Sequence, residues 1–185
     1  MIYSSQIGAA LIAISFAIPL QADDLWQVID AESSLAFELD IGGARATGGF
    51  DTWMAEIQYD PTRIEEANVQ VAIDIASAHI DNLQAMSLMS SPAWFGTDAH
   101  PRATFSGSGF TESDADILAM DGKLTLKGVE EPITLVGQIT IADDVALAQF
   151  QFDLIRSDFG IGDANPAVST SIVVIANITA ERVTP

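Results

Sequence analysis

Cysteine is absent from this 185-residue chain, and only two histidines accompany seven lysines plus arginines. The missing thiols exclude disulfides, thiolate metal sites and cysteine nucleophiles together. His79 and His100 are not paired at i, i+4 or at any other zinc spacing, so neither a metal site nor a cofactor is expected. His100 precedes Pro101, which biases it to extended backbone and a local role at the start of a strand. The scarcity of positive charge is set against 26 acidic residues, for a formal net charge of −19. Affinity for nucleic-acid phosphates and anionic lipid headgroups comes largely from Lys and Arg, so nucleic-acid binding is not expected. The acidity reads as a solvated, mutually repelling surface. Internal repeats and low-complexity linkers are also lacking. The apolar run over 7–20, about 14 residues, falls short of the roughly 20 that cross a bilayer.

That run lies in a segment, residues 1–22, without a single Asp, Glu, Lys or Arg. A charge-free apolar stretch ending before Gln21, Ala22 and Asp23 reads as a secretory signal peptide cleaved after Ala22. The expected organisation is a signal over 1–22 and one domain over 23–185, about 163 residues, enough to bury a sizeable core. The expected location is the periplasm.

The mature part alternates apolar and polar residues with a period of two. Val69, Val71, Ile73 and Ile75 share one strand face; Phe150, Phe152 and Leu154 share another; Ile172, Val174, Ala176 and Ile178 a third. Strands are expected at 26–30, 35–40, 44–50, 54–59, 67–75, 103–110, 117–126, 133–141, 147–155 and 171–180. The segment 122–135 reads as a β-hairpin, with Leu124, Leu126, Ile133 and Leu135 on one face and its turn around Gly128, Glu130, Glu131 and Pro132. The last strand is apolar on both faces near 172–175, which suggests a covered outer face, by a helix or by a homodimer partner. Many short strands in a chain of this length point to a sandwich or a barrel.

One stretch breaks the alternation. Asn82 is a suitable N-cap, and Leu83, Met86 and Met89 follow at three-residue spacing before Pro92. A short helical insertion is therefore expected near 82–95, presenting Met86, Leu88, Trp94 and Phe95 over one end of the sheet. Such residues serve either as an ordinary core plug or as an adaptable apolar lid over a ligand.

Several elements in order resemble the YceI-like family: Trp26, Ile29, Asp30, Ser34, Leu35 and Phe37; Gly48 and Phe50; Ile57, Tyr59, Asp60 and Pro61; Ser77; Ser90, Trp94 and Phe95; Pro101 and Phe105; the hairpin; and Arg156 to Gly160. The resemblance implies a mainly β chain forming an extended antiparallel lipocalin-like barrel of about eight strands. It also implies an apolar tunnel that binds a long-chain lipid (a polyisoprenoid, an isoprenoid quinone or a fatty amide) without catalysis. The residues expected to line that tunnel are Phe37, Phe50, Met86, Leu88, Trp94, Phe95, Phe105, Leu135, Phe152 and Phe159. Transient contact with a membrane or a membrane protein would accompany loading. Where family members carry an Arg-Asp pair and a basic residue before the aromatic pair, 84–95 here has no charge, and no Lys or Arg occurs between Arg63 and Arg102. Phosphates are usually met by such groups, so a neutral headgroup is expected.

Two other classes compete. A hydrolase would draw on Ser157 beside Asp158, or on the pairs Glu65/Glu66, Glu130/Glu131 and Asp143/Asp144. Ser157 has no histidine near it in sequence, and the pairs fall at expected turns, where carboxylates are solvated. A secreted β-domain that binds another protein and carries no ligand is the remaining alternative.

Overall fold

The computed structural model describes residues 25–114, 116–163 and 165–183, so the expected signal segment lies outside the described residues. Its strands are best understood as eight long ones, four of them bent. β1 (Leu25–Val28) and β2 (Ser34–Ile41) are halves of one strand broken by a 3-10 turn at Asp30–Glu32. β3 (Ala44–Phe50) and β4 (Trp53–Gln58) are separated only by Asp51 and Thr52. β5 (Asn68–Asp74) and β6 (Ala78–Ile80) flank a second 3-10 turn, Ile75–Ser77, where the Asp74 carboxylate accepts from the Ala76 N–H. β7 (Arg102–Ser108) and β8 (Thr111–Asp114) bend at Gly109 and Phe110. Four unbroken strands follow: β9 (Ile117–Leu126), β10 (Val129–Ala142), β11 (Val145–Ile155) and β12 (Ser171–Arg182).

Each long strand pairs antiparallel with the next, and β12 closes the ring by pairing with β1 through its last residues and with β2 through its first half. The result is a closed eight-stranded antiparallel barrel, as expected. Closure pairs every long strand with a neighbour on both sides over part of its length, and eight strands enclose an interior about wide enough for side chains or one slender ligand. Alternation sets which residues fill it. Along β10, each odd-numbered residue from Val129 to Ile141 is more buried than its even-numbered neighbours, because successive side chains point to opposite faces.

The ten expected strands are all present, and β6 and β8 are additional. Two local expectations are corrected. The hairpin turn is Lys127–Gly128, both with positive φ (51° and 79°), as a two-residue primed turn requires. Glu130, Glu131 and Pro132 thus belong to β10, opposite Thr125, Leu124 and Lys123. Pro132 is tolerated because β10 pairs with β11 only from Val136 onward, so its missing N–H interrupts no ladder on that side. The helical insertion is reduced to one turn, α1 (Leu83–Met86), capped by the Asn82 side chain accepting from the Ala85 N–H; turns carry the chain from there to β7.

Arg156, at the end of β11, is 5% exposed. Its guanidinium donates to the carbonyls of Ser169 (2.9 Å), Ile161 (2.8 Å), Gly162, Asn165 (2.9 Å) and Val168 (3.1 Å). The planar fork thereby gathers the loop between β11 and β12 around one side chain. Phe159 is buried beside it and Gly160 turns with φ 62°.

Candidate functional site

Two apolar cavities lie inside the barrel. The upper one, toward α1, has a volume of about 100 Å³, and the lower one about 120 Å³. Carbon surface dominates both linings, and no charged residue contributes to either. Leu35 on β2 lines both, so the two chambers meet at its side chain.

Aromatic rings pack against one another in the lining of each chamber. Above, Phe37 packs against Phe50 with centroids 5.6 Å apart, and Phe50 packs against Phe95 at 6.3 Å. Gly48 makes the first contact possible, since a Cβ there would lie 2.3 Å from the Phe37 ring. Trp94 is held over the chamber by the Arg156-anchored loop: Gly162 donates to the Ala93 carbonyl at 2.7 Å, and its Cα face lies against the indole. Below, Tyr59 meets Phe110 edge-on at 5.7 Å, Phe110 stacks on Phe150 at 5.5 Å, and the Trp26 Nε1–H donates to the Tyr59 carbonyl at 2.9 Å. Arg182 covers the outer side of Trp26, 4.5 Å from its ring centroid. Burial, then the adjacent Asp60 carboxylate, raise the Tyr59 phenol above its ordinary pKa, so the phenol stays neutral.

The expected lining residues divide into three groups. Phe37, Phe50, Trp94, Phe95 and Phe152 line the upper chamber, and Leu135 lines the lower one. Phe105 and Phe159 are buried but line neither. The Phe105 ring lies across Gly122, where a Cβ would sit 2.3 Å away, and fills the interior beside the chambers. Met86 and Leu88 are 45% and 41% exposed and point away from both cavities. A helix that ends after one turn rotates them outward; Ala85 and Met89 face the chamber in their place. Chamber-lining residues outside the expected set include Leu35, Trp53, Phe110 and Phe150. Leu35 was accessible by register, because it shares a strand face with Phe37.

The competing catalytic groups do not converge. Ser157 and Asp158 are exposed at the strand end, Asp143 and Asp144 occupy a turn, and Glu65 and Glu66 sit in a 3-10 turn. Among the described residues no cluster of His, Asp or Glu could hold a metal. His79 is half exposed, with Nδ1 3.3 Å from the Asp51 carboxylate.

The model of the YceI-like domain family matches residues 26–180. A UPF0312 protein of Vibrio parahaemolyticus is 28% identical over 128 residues, 67% of this chain and 68% of that one. A UPF0312 protein of a Shewanella strain is 25% identical over 134 residues, 70% of each. Among solved structures, BcnA of Burkholderia cenocepacia superposes with a TM-score of 0.78 at 21% identity, over 83% of this chain and 99% of that one. A polyisoprenoid binding domain from Saccharophagus degradans, implicated in plant cell wall breakdown, does so at 0.65 and 17% identity, over 86% and 98%. At these identities the structural likenesses establish the fold.

Proposed function

The chain belongs to the YceI-like domain family, and from that premise we propose that it is a binding protein whose barrel holds one long-chain apolar lipid and performs no catalysis. The observation that carries this reading is the pair of carbon-lined chambers meeting at Leu35. Each five-carbon isoprene unit moved from water into such a chamber gains roughly 4 kcal/mol gross, at about 0.8 per carbon. Much of this is offset by ordering the chain, yet several units leave ample affinity without a charged anchor. The likeness to a polyisoprenoid binding domain supports the same ligand class.

The headgroup in this reading is neutral, an isoprenoid quinone or a fatty amide in preference to a prenyl phosphate. No Lys or Arg lines either chamber to meet a phosphate. The proposal includes export to the periplasm after removal of residues 1–22, which rests on the sequence. It also includes carriage or sequestration of the lipid as the biological role.

Organic extraction of the protein purified without detergent, followed by mass spectrometry, tests the headgroup assignment. A neutral long-chain lipid at about one per chain is the expected result. Recovery of a stoichiometric prenyl pyrophosphate would overturn the assignment.

A further inference from the structure

The barrel wall has a window. β1 pairs with β4 only at Leu25 opposite Gln58 and Trp26 opposite Ile57. The next pairing along the same two bent strands is Leu35 of β2 opposite Phe50 of β3. Between these points, residues 27–34 and 51–56 run past one another with no ladder. Their other sides remain paired, β1 and β2 with β12 and β4 with β5. The opening follows from the two bends, at Asp30–Glu32 and at Asp51 and Thr52, which carry the strands apart in mid-course.

Over this window lies an outer groove of about 590 Å³. Leu35, Phe50 and Trp53 form its floor, and each also lines the interior: Phe50 the upper chamber, Trp53 the lower, Leu35 both. Leu35, Phe50 and Trp53 therefore stand between the groove and the two chambers. The groove's rim has another chemistry. Asp30, Ser34, Asp51, Thr52 and His79 surround it, with His79 paired to Asp51, and none of the residues lining it is Lys or Arg.

We infer that this window is the headgroup site of the bound lipid, that the chain enters the chambers past Leu35, and that the headgroup is a non-anionic hydrogen-bond donor, which selects the neutral amide over the quinone among the headgroups proposed above. The inference rests on the lipid-binding reading and specifies where that ligand is held. Two carboxylates accept hydrogen bonds and attract a cation, and they repel a phosphate for which no positive partner is at hand. Hydroxyls at Ser34 and Thr52 serve an alcohol or an amide equally well. An apolar chain reaching inward from such a headgroup meets carbon surface from Leu35 onward.

The test uses protein stripped of bound lipid and three probes with the same tail: hexadecylamine, hexadecanol and hexadecyl phosphate, each competing with the neutral dye Nile red. The amine should bind at least about tenfold more tightly than the phosphate, and combining D30N with D51N should bring the two within about threefold. Both aspartates are exposed, so these exchanges leave the core untouched. Because the chain has no cysteine, Ser34→Cys and, on the α1 cap, Ser87→Cys each provide a unique attachment point. A bulky maleimide at position 34 should slow loading by about tenfold or more, and the same label at position 87 should leave it unchanged. Phosphate binding equal to amine binding, or loading blocked from position 87 and not from 34, would overturn the window site while leaving the lipid-binding reading intact. Failure of all three probes to displace the dye would overturn that reading, and this inference with it.

Discussion

Replacing Arg156 by methionine is expected to lower stability by about 3–5 kcal/mol, the scale for removing one member of a buried charged network. Five carbonyls now receive N–H donors from this one side chain. Methionine fills similar space but donates nothing, and each carbonyl left buried without a partner costs about 1–3 kcal/mol before relaxation. Water reaching the loop relieves part of this, which is why the expected loss is below the sum. Arg156→Lys should recover little, since one ammonium cannot address five acceptors spread over a planar fork. The damage should also reach the upper chamber, because the gathered loop carries Gly162, against which Trp94 rests. Urea unfolding checks the energy, and a midpoint for Arg156→Lys equal to that of the unaltered protein would refute this role for the guanidinium in the loop.

The second large effect is on binding. Ala148 lies on β11 between Ile139 and Ile178 and lines the lower chamber. A phenylalanine there projects a six-carbon ring into a cavity of about 120 Å³, displacing roughly one isoprene unit of ligand. If the displaced unit contributes about 2 kcal/mol net to binding, affinity for a long isoprenoid quinone should fall about 30-fold. The free protein should be as stable as before or gain about 1 kcal/mol, because the ring replaces missing packing. Ala85→Phe makes the corresponding change at the upper chamber, where Ala85 faces inward from α1. Opposite signs for stability and affinity separate cavity filling from misfolding. Titrations showing unchanged affinity in both variants would place the lipid outside the chambers.

The sequence made the barrel wall legible wherever period-two alternation decides which face is buried. Leu124, Leu126 and Leu135 point inward, as their spacing implies, and the same holds for Phe37 and Phe152. Legibility failed where a local pattern depended on an element's length. Leu83, Met86 and Met89 read as one helical face only if the helix continues; ending it after one turn leaves Leu83 and Met86 exposed and Met89 buried. Pro132 suggested a turn because Pro interrupts ladders, but whether a ladder exists on its N–H side depends on where β11 begins to pair, a long-range fact. The window is the same kind of feature. It arises where two bent strands separate, and nothing in 27–34 or 51–56 alone announces which residues lie opposite. Arg156 to Gly160 were legible as part of the resemblance, whereas the five carbonyls that Arg156 serves come from a loop with no periodicity to read.

Whether the chambers hold one apolar chain is tested most directly by native mass spectrometry of the protein purified without detergent. The expected spectrum shows a single noncovalent adduct of lipid mass, one per chain, that is strongly depleted in Ala148→Phe. A population at the bare polypeptide mass, in protein that also fails to take up added long-chain lipid, would contradict lipid binding inside the barrel.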